Sequence, residues 1–170
     1  MAVRKLRIHP DPVLRERCTP VTSFDQELHQ LLDDLGESMY AHKGLGLAAP
    51  QIGVPVRALV VDVDQREGAP RLLEVVNPEL VATSPETVVG EEGCLSFPDE
   101  FEKVKRPLRV TLRALDRHGQ PWELTGEGML ARALLHEMDH LEGKLFIDHL
   151  SRLKRSLVER RMRKLQRAAS

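Results

Sequence analysis

The 170-residue chain is poor in cysteine, with only Cys18 and Cys94. Two cysteines make no disulfide framework, and free thiols suit a reducing compartment. Nowhere do about 20 apolar residues run together, so a membrane-spanning helix is excluded. The opening Met1-Ala2-Val3-Arg4-Lys5-Leu6-Arg7 lacks the apolar core of a secretion signal. These absences lead to the expectation of a cytoplasmic protein with no membrane partner. Internal repeats, low-complexity runs and interdomain linkers are also missing. A chain of this length then has room for one well-filled hydrophobic core.

What charge there is lies unevenly. The net charge is −1, yet residues 151–170 hold eight Lys or Arg against one Glu. Arg152, Lys154, Arg155, Arg160, Arg161, Arg163, Lys164 and Arg167 interleave with Leu150, Leu153, Leu157, Val158, Met162 and Leu165. The spacing predicts an amphipathic basic helix over 150–170 following a body of residues 1–149. Such a tail either docks on an anionic partner or packs on the body with a solvated basic face.

Within the body, Ser23-x-x-Gln26 has the form of a capping box. Leu28, Leu31, Leu32, Leu35 and Met39 continue it at helical spacing. The helix should end near His42-Lys43-Gly44, with the glycine relieving the turn. Strand signals follow at 56–63, 72–76, 80–83 and 86–89. A hairpin is expected from 110–116 through Arg117-His118-Gly119 to 122–124. A further helix should cover 128–142 and stop at Gly143. Helix, strands, helix, helix is an α+β order: short mixed or antiparallel strands around one central helix.

That central helix carries His136-Glu137-Met138-Asp139-His140, an H-E-x-x-H string. Residues four apart share a helix face, about 6 Å apart along the axis. Two imidazoles so placed can grip one metal ion, and the intervening Glu137 can reach a water on it. Such a water has its pKa lowered toward about 7, which points to metal-assisted hydrolysis of a carbonyl compound. A solvated face that happens to carry two histidines would share the pattern.

A hydrolytic site needs a third protein ligand. The longer zinc-protease string H-E-x-x-H-x-x-G-x-x-H is followed as far as Gly143, but Phe146 stands at its last position. Glu142 sits on the wrong side of the helix, and only Glu159 follows, inside the basic tail. Cys94, in Glu91-Glu92-Gly93-Cys94-Leu95-Ser96, is the better candidate, since a thiolate binds zinc or iron(II) well. A lone cysteine is also often a small buried apolar residue, as Cys18 is expected to be.

Three motifs in order, Gly44-Leu45-Gly46-Leu47-Ala48-Ala49-Pro50-Gln51, Glu92-Gly93-Cys94-Leu95-Ser96 and His136 to His140, make the chain resemble the peptide deformylases from about Leu6 to Leu150. One departure is Leu135, where that family usually has glutamine before the first histidine. The resemblance implies one divalent metal held by Cys94, His136 and His140. It implies iron(II) as the native ion, with zinc, nickel or cobalt as alternatives. Glu137 would be general base and then proton donor, and the substrate the formyl-methionine end of a new polypeptide. Gln51 and the Leu95 backbone N–H would stabilise the developing oxyanion. Gly46 would contact the substrate main chain, and Leu45, Met129 and Ala133 would line a pocket for the methionine side chain. The basic tail would meet ribosomal RNA. A Glu92–Arg106 ion pair could steady the Cys94 loop or lie on the surface, and Asp139 could orient a ligand or face water. Two other readings stay open: a general metallopeptidase, and a nucleic-acid-binding protein with a structural metal site. The latter needs a fourth ligand, such as His149 or Cys18.

Overall fold

The computed structural model describes residues 2–65 and 68–169. Its first helix, α1 (Gln26–Ala41), buries Leu28, Leu32, Leu35 and Met39, the row read from the spacing. Its cap differs from expectation. Asp25, not Ser23, is the N-cap, its carboxylate accepting from the Leu28 N–H at 3.2 Å. Either oxygen-bearing side chain can satisfy a free amide at a helix start, and the carboxylate also complements the helix dipole. At the other end Lys43, not Gly44, takes the left-handed conformation, with φ 61°.

The chain then forms β1 (Gly46–Ala48), β2 (Ala58–Val61), β3 (Leu73–Thr83), β4 (Thr87–Cys94) and β5 (Phe97–Pro107). After them come β6 (Arg109–Leu115), β7 (Pro121–Glu127), α2 (Met129–Leu141) and α3 (Arg152–Ala169). The named strands pair antiparallel, in a sheet ordered β1-β2-β3-β6-β7 and a separate hairpin β4–β5. The two strand signals at 72–76 and 80–83 belong to one strand. Its ladder with β6 shifts register between Val76 and Glu79, where Asn77 has φ 49°. A bulge thus absorbs the Asn77-Pro78 interruption.

Strand β5 escapes a pattern search because Phe97 to Pro107 is mostly charged or polar. Pairing with β4 at Phe97 and from Phe101 to Pro107 holds it, and only Phe97, Glu100, Val104 and Arg106 turn inward far enough to be buried. Strand β1 escapes because it is three residues of a small-residue loop.

Helices α1 and α2 cover opposite faces of the sheet. In β2, Ala58 and Val60 join the α1 core, while Leu59 and Val61 join the α2 core with Ala131, Leu134 and Leu141. Burial on both faces explains why β2 is wholly apolar rather than alternating. A third core gathers Leu14, Phe97, Val104, Phe146, Val158 and Met162, so α3 packs on the hairpin side of the body. Phe146, standing where the protease string wants histidine, packs edge-on to Phe97 there, with ring centroids 5.1 Å apart. Cys18 is buried in the α2 core, where burial pushes its thiol up to about 11. None of the described helices is long and apolar enough to cross a membrane.

Candidate metal centre

Three elements converge at the carboxyl end of the hairpin strand β4. Cys94 is its last residue, and Leu95-Ser96 form the turn into β5. Helix α2 presents His136, Glu137 and His140. The 3₁₀ turn Ala49–Ile52, which follows β1, presents Gln51. One donor atom each of Cys94, His136 and His140 lie within 4.8 Å of one another. The Cys94 Sγ to His140 Nε2 distance is 3.4 Å. No fourth donor joins them among the described residues. His149 bonds Asp139 instead, and Cys18 lies in the core.

The His136 ring is oriented from behind. Its Nδ1 donates to Glu92 Oε1 at 2.9 Å, which leaves Nε2 for the site. Glu92 is itself held by Arg106, through Nε at 2.8 Å and Nη2 at 2.9 Å, and by Arg132 Nη1 at 2.8 Å. The Glu92–Arg106 pair is therefore buried, not on the surface. Burial alone would raise the Glu92 carboxyl, but the hydrogen bonds from Arg106 and His136 outweigh it and hold it well below the usual carboxylate range. Asp139 accepts from Arg106 Nη1 at 2.8 Å and binds His149 Nε2 at 2.9 Å, so it braces Arg106 from outside.

Glu137 is 4% exposed, and its Oε1 has no hydrogen-bond partner. Burial pushes its carboxyl up to about 7. Burial also disfavours a charged His136, yet Glu137, Cys94 and Glu92 together carry its pKa well above the ordinary value. The buried surroundings of His136 thus attract positive charge. For His140, burial and then His136 and Arg106 act in the other direction and leave a neutral imidazole. A thiol, a neutral imidazole and an imidazole whose proton a cation can replace fit a divalent transition metal.

Gln51 is 1% exposed and does two things. Its Oε1 accepts from the Ala48 N–H at 3.0 Å, which stabilises the turn. Its Nε2 points into the site, 3.5 Å from Cys94 Sγ and 3.1 Å from Ser96 Oγ. The two glycines of the first motif make room for the other two. A Cβ on Gly46 would stand 2.7 Å from Glu137 Oε2, and one on Gly44 would stand 2.6 Å from a Leu95 methyl.

Of the expected pocket residues, Leu45 and Ala133 are partly buried and Met129 is 56% exposed. Met129, Ala133 and Glu137 recur every four residues, so they share a face of α2. Leu135 lies off that face and packs against the α2 core. A surface cleft of about 630 Å³, lined by Arg17, Cys18, Arg57 and Glu142 among others, contains none of the site residues. Sequence reasoning missed Arg132 altogether, although it stands four residues before His136, on the same face.

Known proteins are similar to the chain over nearly its whole length. The polypeptide deformylase family model matches residues 3–156. A peptide deformylase of Acidobacterium capsulatum is 49% identical over 168 residues, covering 99% of this chain and 98% of that protein. One from Rhizobium meliloti is 48% identical, covering 96% and 94%. The crystal structure of a peptide deformylase from Legionella pneumophila superposes with a TM-score of 0.91 at 45% identity, over 99% of this chain and 98% of that one. A deformylase from Ehrlichia chaffeensis in complex with actinonin gives 0.93 at 38% identity, over 98% and 99%. With the family model, full-length relatives and the fold in agreement, the chain belongs to the polypeptide deformylase family.

Proposed function

We propose that this chain removes the formyl group from the N-terminal methionine of new polypeptides at the Cys94, His136, His140 and Glu137 site. The observation that carries the reading is the buried Glu137 carboxyl, with one oxygen unpartnered, beside a soft-and-imidazole donor set of three. Cys94, His136 and His140 would hold one divalent metal. When bound, that ion supplies Lewis acidity, polarising a carbonyl and bringing the pKa of water toward about 7. Iron(II) is the proposed native ion, with zinc, nickel or cobalt accepted by the same donors.

The protein's own groups handle the protons and the charge. Glu137, whose carboxyl burial raises above the ordinary carboxylate range, takes a proton from the attacking water and later gives it to the departing amine. Water adds to the formyl carbon, the C–N bond breaks, and formate and the free amino terminus result. The Gln51 Nε2–H and the Leu95 backbone N–H are the proposed oxyanion donors, already in place before charge develops. Gly46, beside Glu137, is the proposed main-chain contact for the peptide. Leu45, Met129 and Ala133 form the proposed methionine pocket, with the shared face of α2 in support.

Residues 1–149 are the proposed catalytic unit, with 150–170 serving attachment to ribosomal RNA in the cytoplasm. Lys154, Arg155 and Arg161 pair with Glu102, Asp148 and Glu100 of the body, and Arg155 also with Glu159 of its own helix, so part of the basic charge is already neutralised. Arg152, Arg160, Arg163 and Lys164 are exposed and are the proposed phosphate contacts. Replacing those four with Gln, which keeps Val158 and Met162 buried, should weaken salt-sensitive ribosome co-sedimentation and spare activity on a short peptide. Unchanged co-sedimentation counts against the attachment role.

The test of the reaction is formate release from formyl-Met-Ala-Ser by anaerobic, iron(II)-loaded protein beside Glu137→Ala. Release by the parent only, with metal retained in both, is expected. No release by metal-loaded parent overturns the assignment.

A further inference from the structure

We propose that Arg132 is a positioning residue that clamps the β4–β5 hairpin onto α2 and so sets the Cys94 thiol against the two histidines. The inference rests on the reading that Cys94, His136 and His140 hold the metal.

The donor set is divided between two bodies. Cys94 and Leu95 belong to the hairpin, and His136, Glu137 and His140 belong to α2. The hairpin shares no ladder with the five-stranded sheet. At its base the Gly128 N–H, at the start of α2, donates to Leu108 O at 2.8 Å; further along the hairpin the hydrogen bonds to α2 are made by side chains. Cys94 and Glu92 reach α2 from β4, and Arg106 reaches it from β5. Arg132 is the α2 residue that reaches both strands, among the described residues. Its Nη1 donates to Val104 O at 2.8 Å, to Gly90 O at 3.3 Å and to Glu92 Oε2 at 2.8 Å. Its Nη2 donates to Val88 O at 2.8 Å. Gly90 and Val104 are register partners, so one guanidinium spans the width of the hairpin.

Gly90 is the other half of this device. A Cβ there would stand 3.0 Å from both Cζ and Nη2 of Arg132. The glycine leaves the gap that the planar fork enters, and the side chain is only 14% exposed. The geometry suits arginine, whose fixed fork serves several carbonyls at once, and not lysine, whose ammonium is a point donor. Arg132 also bonds the carboxylate that orients His136, so one side chain governs both the ring's tilt and the thiol's distance. Placement of this kind matters because metal and catalytic groups must be held within fractions of an ångström.

The experiment measures cobalt(II) affinity by chelator competition, the intensity of the cobalt–thiolate charge-transfer band, and kcat and KM with formyl-Met-Ala-Ser. The proteins are the parent, Arg132→Ala, Arg132→Lys, Gly90→Ala and the double variant Arg132→Ala/Gly90→Ala. Arg132→Ala should weaken cobalt binding by about 10-fold or more, the usual effect of losing a group that orients a ligand. The thiolate band should weaken, and kcat should fall more than KM rises. Arg132→Lys should lie between. Gly90→Ala should mimic Arg132→Ala in kind, and the double variant should be no worse than Arg132→Ala, since both remove one coupled interaction. Parent-like cobalt affinity in folded Arg132→Ala or Gly90→Ala overturns the proposal, as does simple additivity in the double variant. A parent that binds no cobalt at all overturns the metal reading itself.

Discussion

Arg106→Leu tests whether the buried carboxylate behind His136 is structural, functional or both. Arg106 and Glu92 are each 5% exposed and joined by two hydrogen bonds. Removing one partner of a buried pair leaves a charge without its compensation, at a cost of about 3–5 kcal/mol. Glu92 keeps Arg132 at 2.8 Å and His136 at 2.9 Å, so about 3 kcal/mol is the expected figure. In a chain of this length that corresponds to a melting temperature lower by roughly 6–12 °C. Thermal and urea unfolding of metal-free protein measure it without a contribution from metal binding. The double variant Glu92→Leu/Arg106→Leu separates stability from function. It removes both charges, and a well-packed apolar replacement of a buried pair is often neutral or better. Stability should recover in part, since Arg132 loses its carboxylate and Asp139 its guanidinium, whereas metal affinity should stay about 10–100-fold weak because His136 Nδ1 has lost its acceptor. A single-variant loss below about 1 kcal/mol would mean that the pair behaves like an exposed one, and the reasoning would fail. Metal affinity that recovers along with stability would equally refute the orienting role.

Gly46→Ala places a methyl 2.7 Å from Glu137 Oε2. It should lower kcat at least about 10-fold, since the carboxylate proposed to shuttle the proton must move; steady-state formate release checks this, and a parent-like kcat sinks the steric account. Asp34 is 4% exposed and accepts from Ala2 N, Gln30 Nε2 and Arg4 Nη1, which ties the start of the chain to α1. Burial alone would raise its pKa, but those hydrogen bonds bring it below the ordinary value. A carboxyl with a lower pKa folded than unfolded stabilises fully above the unfolded value, near about 3.9, and loses that contribution as pH falls through the folded one. Asp34→Asn should therefore cost about 1–2 kcal/mol at pH 7 and progressively less below pH 4. Urea unfolding across that range decides it, and a pH-independent difference would show that the charge is not what matters.

Some of this molecule is legible because its cause is local. The helical row Leu28 to Met39, the end of α2 at Gly143 with φ 72°, and the H-E-x-x-H string all follow from spacing on one element. The three motifs likewise announce their chemistry, because metal ligation and proton transfer need particular atoms and few residue types carry them. Strand β5 is hidden because its charged residues gain their pattern only from β4 and α2. The capping residue of α1 is hidden because Ser23 and Asp25 offer the same local chemistry.

The sequence by itself determined the α+β order and the family, and it named the candidate residues for holding a metal. Only the tertiary structure decided that Glu92 and Arg106 form a buried pair, that a side chain at Gly46 would meet Glu137, and that Arg132 bridges hairpin and helix. Those relations join residues 14 to 91 positions apart. Spacing along one strand or helix repeats every two or 3.6 residues and carries no information about which distant surface will face it. That choice is made when the hairpin, the β1 edge and α2 close on one another, and each side chain meets partners from a different part of the chain.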